Sequence, residues 1–167
     1  MSRPVDGAPI IPSCPCPTAA NRPGWRATGP IAATLSGSDG RNPIHSRRLD
    51  WVDRYYAPDA IVHAGGGRYA QGPRDIQTLF IHLLSAIPDG VLRVEHVCHS
   101  EERDGVIVAV RWTLEGRTAP GGVLGECPVG SPVRMMGISH LRLAGARIVE
   151  EWMLFDEVGV LVQAYRA

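Results

Sequence analysis

The triplet Pro88-Asp89-Gly90 separates two hydrophobic periods, and few folds accept both in one chain. Before it, Ile76, Leu79, Phe80, Leu83, Leu84 and Ile87 recur at i, i+3, i+4 and i+7, the buried stripe of an amphipathic helix. Gly72-Pro73 opens that helix and the triplet closes it. After it the period is two. Residues 91–99 and 106–115 alternate around the turn Glu101-Glu102-Arg103-Asp104-Gly105. A glycine-rich loop over 116–132 leads to a third alternating run, 133–143, and Ala144-Gly145-Ala146 turns the chain back into a fourth, 147–156. Upstream, Asn42-Pro43 supplies an N-cap and first turn for a helix carrying Leu49, Val52, Tyr55 and Tyr56. Pro58 stops that helix, and 60–63 read as a short strand closed by Gly65-Gly66-Gly67. Helix, short strand, helix and four long antiparallel strands predict an α+β fold. A curved sheet wrapped around such helices leaves a pocket between them, a usual place for a small ligand.

The first 44 residues follow neither period. Eight of the 14 prolines lie there, among Ser, Gly, Ala and Arg, so residues 1–44 are expected to be a disordered tail and residues 45–167 the folded domain. At 167 residues the chain suits one domain with one core. Seventeen basic and 17 acidic residues cancel, which gives no reason to expect a nucleic-acid partner. The N-terminus has no apolar segment of the secretory kind and no run is long enough for a membrane helix, so a soluble, cytoplasmic protein is expected. Cys14, Cys16, Cys98 and Cys127 lack metal-ligand spacing and read as free thiols.

The run GARIVEEWMLFDEVGVLVQ, from Gly145 to Gln163, carries the chemical question. Strict alternation puts Ile148, Glu150, Trp152, Leu154 and Asp156 on one face. Either the strand reaches solvent at Asp156, or that face lines a cavity where a carboxylate acts. Pairing Leu143 with Arg147 sets His140 opposite Glu150 and Arg134 opposite Asp156. Six residues of strand, roughly 20 Å, then separate the His140 level from Asp156, too far for a direct dyad.

Several stretches together resemble the SnoaL-like polyketide cyclase, or ester cyclase, branch of the nuclear-transport-factor-2-like superfamily. They are Tyr56-Ala57-Pro58-Asp59-Ala60-Ile61-Val62-His63, Gly72-Pro73, Ile87-Pro88-Asp89, and Val108 to Gly116. Gly137-Ile138-Ser139-His140, Gly145 to Trp152, Phe155-Asp156-Glu157 and Gln163 complete the match, over about residues 45–164. The chain departs from the family pattern at Val129, within Pro128-Val129-Gly130, and at Arg117.

The resemblance implies a cone in which a curved antiparallel sheet wraps around N-terminal helices. It also implies an aldol-type cyclase or isomerase that uses neither metal nor cofactor and acts on a hydrophobic, polyketide-like small molecule. Asp156 takes the family's proton-transferring aspartate, with His140 as the second candidate. Trp152, His63, Tyr55, Arg111 and Met136 are candidates for lining the substrate pocket; core packing competes for Trp152 and Met136. A homodimer through the outer face of the sheet is the family-level expectation. Two alternatives stand beside the cyclase. One is a non-catalytic ligand-binding or dimerisation domain, and the other a limonene-type epoxide hydrolase casting Asp156, Arg134 and Glu150 around a water.

Overall fold

The computed structural model describes residues 49–167; the expectation for residues 1–44 lies outside them. Three helices and six strands follow in the order α1 (Asp50–Tyr55), β1 (Tyr56–Ala64), β2 (Arg68–Gln71), α2 (Gly72–Ala86), β3 (Val91–Glu102), β4 (Gly105–Arg117), β5 (Pro132–Ala144), β6 (Arg147–Phe155) and α3 (Glu157–Arg166). Short 3-10 turns occupy Gly65–Gly67 and Gly122–Leu124. The strands form one curved, unclosed sheet in the order β2-β1-β6-β5-β4-β3. The α+β architecture is the expected one.

Two features differ from the sequence reading. The sheet is mixed, because β1 runs parallel to β6 while every other pair is antiparallel. The helix before Pro58 ends early: Tyr56 already begins β1, and Pro58 lies in that strand. Proline is tolerated there because the β1–β6 register breaks between Tyr56 and Ile61, where no ladder donor is needed. Strand β2 and helix α3 are additions the sequence reading did not contain.

The α2 stripe packs as its spacing predicts: Ile76, Leu79, Phe80 and Leu83 are buried, and Pro73 sits in its first turn. Along β5 the alternation is complete, with Val133, Met135, Gly137, Ser139, Leu141 and Leu143 inward and Arg134, Met136, Ile138 and His140 outward. The inner residues of β4, including Val110, Trp112 and Leu114, close the same core. Gly137 is required by this packing, since a Cβ there would stand 2.1 Å from the Trp112 ring.

A β-bulge decides which face of β6 is which. Arg142 pairs with Glu150, but Leu143 pairs with Ile148, leaving Val149 as the extra residue. One inserted residue reverses every side chain beyond it. Ile148 therefore faces inward with Glu151 and Met153, while Glu150, Trp152 and Leu154 face outward.

Candidate active site

A cavity of about 80 Å³ opens between the helices and the inner face of the sheet. A single water needs roughly 10–15 Å³ on this measure, so several waters or the compact part of an organic ligand fit. Its walls are largely apolar, with Trp51 and Tyr55 from α1, Phe80 from α2 and Trp112 from β4 among them. Trp51, Tyr56 and Phe80 pack as mutually tilted rings with centroids 5.0–6.4 Å apart.

One polar cluster faces this apolar space. Glu151, 3% exposed, accepts a hydrogen bond from the Tyr56 hydroxyl across the parallel β1–β6 seam. Ser139 on the neighbouring strand accepts from Trp112 Nε1 at 3.3 Å and lies near enough to Glu151 to favour its ionised form. Burial raises the Glu151 carboxyl above the ordinary glutamate range, although the hydrogen bonds from Tyr56 and Ser139 pull it back. Burial, followed by the nearby Glu151 charge, holds the Tyr56 phenol proton well above its ordinary value. A desolvated carboxylate in an apolar cavity is suited to moving protons near neutral pH.

Of the residues singled out from sequence, Tyr55 lines this cavity. The others lie elsewhere. Asp156 ends β6 as the N-cap of α3, where its Oδ1 accepts from the Gly159 backbone N–H at 2.8 Å. A Cβ on residue 159 would meet that carboxylate at 2.0 Å, so Gly159 is what lets it close over the helix end. His140 is on the outer face opposite Trp152, not Glu150 as unbulged pairing predicts. The Arg134–Asp156 pair does not form; Arg134 meets Glu95 at 2.9 Å and Glu115 at 3.2 Å instead. Arg111 is exposed and 3.6 Å from Glu95, and Met136 is exposed beside it on β5.

His63 and Trp152 come together on the outer face. Their rings stack at 5.6 Å and 12°, and His63 Nε2 lies 3.1 Å from Glu150. The other Glu150 oxygen accepts from Arg142 at 2.7 and 3.1 Å. These Arg142 bonds, ahead of the His63 contact, hold the Glu150 carboxyl below its ordinary range. Alternation alone overlooked Glu151, Tyr56 and Ser139. The available signal was the doublet Glu150-Glu151 itself, since two consecutive carboxylates in a strand must place one on each face.

Among the described residues, no group of three His, Cys, Asp or Glu side chains is placed to hold a metal ion, and no helix is long and apolar enough to cross a membrane. Cys127 is a free thiol; Cys14 and Cys16 lie outside the described residues.

Helices packed on a curved, unclosed six-stranded sheet are the nuclear-transport-factor-2-like fold, which solved structures share. Within it, the profile of SnoaL-like polyketide cyclases matches residues 41–164, and the chain belongs to that family. Solved structures with the same fold include IdmH of Streptomyces antibioticus, described as a polyketide cyclase, with a TM-score of 0.59 and 24% identity over 80% of this chain and 94% of that one. A polyketide cyclase from Acidithiobacillus ferrooxidans gives a TM-score of 0.65 and 19% identity, covering 86% of this chain and 99% of its own. A SnoaL-like polyketide cyclase from Jannaschia sp. CCS1 gives 0.65 and 16%, covering 82% and 90%. No curated protein matches the chain.

Proposed function

We propose that the protein is a cyclase or isomerase that moves a proton on a neutral, polyketide-like small molecule, with Glu151 as the acid/base. The observation that carries this is a buried carboxylate, raised by burial and held by Tyr56 and Ser139, on the wall of an apolar cavity. Glu151 takes a proton from a carbon flanked by two carbonyls; the C–H bond breaks, and its electron pair spreads over the enolate. The enolate carbon then attacks a further carbonyl of the same molecule, forming the C–C bond as the C=O π pair moves onto oxygen to give an alkoxide. The Glu151 carboxyl returns its proton to the new alkoxide, so the protein ends as it began. Tyr56 and Ser139 hold the carboxylate in place, and the aromatic walls exclude water.

Deuterium exchange at the activated methylene of aryl β-keto esters, followed by NMR in D2O, isolates the first step. Glu151→Gln is expected to lower the catalysed rate about 10²–10⁴-fold with ligand affinity retained. A variant that exchanges as fast as wild type sinks the acid/base assignment. The epoxide hydrolase alternative has less support, since the described residues that line the cavity include one carboxylate and no arginine.

The outer face favours an assembly reading as well. Met136, Ile138, Trp152 and Leu154 are all exposed there, Leu154 at 66%. Scattered apolar residues are ordinary on a surface, but a contiguous group on one sheet face suits a partner. A homodimer through this face predicts that Trp152→Glu shifts the sedimentation coefficient to that of a monomer. An unchanged coefficient refutes it.

A further inference from the structure

Glu151 has an unusual set of neighbours for a carboxylate. It accepts from the neutral Tyr56 hydroxyl, and among the described residues no Lys, Arg or His forms an ion pair with it. Among the described residues it is the one ionisable carboxyl on the cavity wall. The Tyr56 hydroxyl donates to the carboxylate and Ser139 Oγ accepts from Trp112, so the Tyr56 proton is already committed at this pole of the cavity. The remaining walls include five aromatic side chains: Trp51, Tyr55, Tyr56, Phe80 and Trp112.

A carboxylate with no counter-ion among the described residues, on a wall that also carries five aromatic side chains, is the chemistry that recognises an organic cation. We infer that the cavity is a receptor for compact organic cations, in which a protonated amine directs its N–H at Glu151 while its carbon substituents lie against the aromatic walls. The amine supplies the missing counter-charge, so part of the desolvation that burial imposes on the carboxylate is recovered on binding. The ring faces attract the same charge. A neutral ligand of equal shape gains apolar contact alone, and an anion meets Glu151 directly.

This ligand class goes beyond the proposed reaction. It uses the same cavity, and it requires Glu151 as a charge rather than as a proton carrier. The two ideas therefore fail separately: exchange of β-keto esters tests the proton transfer, and selectivity among charged isosteres tests the receptor.

The test uses three probes that share a benzyl group, with binding followed by the fluorescence of Trp51 and Trp112. They are N,N-dimethylbenzylammonium, its neutral isostere isobutylbenzene, and phenylacetate. On the full-length protein at pH 7 the ammonium is expected to bind about tenfold or more tighter than isobutylbenzene, with phenylacetate weakest. Glu151→Gln keeps the side-chain shape and is expected to bring the ammonium and isobutylbenzene to equal affinity. Equal affinities in the wild type, no binding of the ammonium, or a cation preference that survives in Glu151→Gln would each overturn the inference. The wild-type comparison decides the matter even where the variant does not fold.

Discussion

Glu150 and Glu151 are adjacent in sequence, yet β6 sends them to opposite sides of the sheet. Glu150 faces outward into a charged cluster with Arg142 and His63, whose hydrogen bonds favour its ionised form. Glu151 faces inward, where burial favours its neutral form and Tyr56 and Ser139 only moderate that effect. The same functional group is thus tuned in opposite directions within one residue of chain. The difference teaches that environment, not residue type, assigns chemical roles on this sheet. The inner face has the low dielectric and enclosure that acid/base work needs, whereas the outer face has compensated charges and exposed apolar side chains.

The sharpest way to break that comparison is to neutralise each carboxylate in turn. Glu151→Gln is expected to slow β-keto ester exchange about 10²–10⁴-fold, and Glu150→Gln to leave it within a few-fold. Comparable losses in both variants would erase the distinction between the faces.

Packing gives the next largest contrast. Gly137→Ala drives a methyl into the Trp112 ring and is expected to cost about 1–3 kcal/mol in denaturant unfolding. Ile138→Ala, one residue on and 46% exposed, is expected to change stability by about 0.5 kcal/mol or less, measured where the protein is monomeric. Asp156→Ala falls between them, at about 1 kcal/mol, because it removes the side-chain cap of α3. Exchange activity should survive that change once the protein is folded, since Asp156 stands outside the cavity wall.

In the pH dependence the two carboxyls act with opposite signs. Glu151 is raised on folding, so its contribution to stability is complete below the unfolded glutamate pKa and is lost as pH rises through the folded value. Glu150 is lowered, so its contribution is present above the unfolded pKa and lost as pH falls through the folded value. Unfolding free energies measured from acid to neutral pH should therefore show Glu151→Gln gaining on wild type as pH rises, and Glu150→Gln losing ground. Being partly exposed, Glu150 should contribute no more than about 1 kcal/mol.

Much of the fold was legible because it rests on long, regular periods. The α2 stripe has six apolar positions in helical register, and β5 alternates without a break, so both were readable from the residues. Helix α3 was not. Its valines and Gly159 favour other conformations, and apolar residues lie on both its buried and exposed sides, Val160 and Val158 for example. Strand β2 is four residues long, too short to show a period. The inner carboxylate went unread for a more specific reason. Alternation assigned Glu150 and Asp156 to the face of Ile148, and the bulge at Val149 exchanged the faces. Nothing local in Arg147-Ile148-Val149-Glu150 announces a bulge; it follows from the pairing of β6 with β5 and β1. Tyr56 shows the same limit, since it meets Glu151 only because two strands 95 residues apart run parallel.

The account stands most directly on the two carboxyls themselves. Carbon-13 labelling of glutamate side chains lets both be titrated by NMR in one sample, with Glu150→Gln and Glu151→Gln supplying the assignments. Glu151 should titrate above the ordinary glutamate range and Glu150 below it, and Tyr56→Phe should move Glu151 further up because a bond to its ionised form is lost. A Glu151 that titrates at or below Glu150 would contradict the inner site.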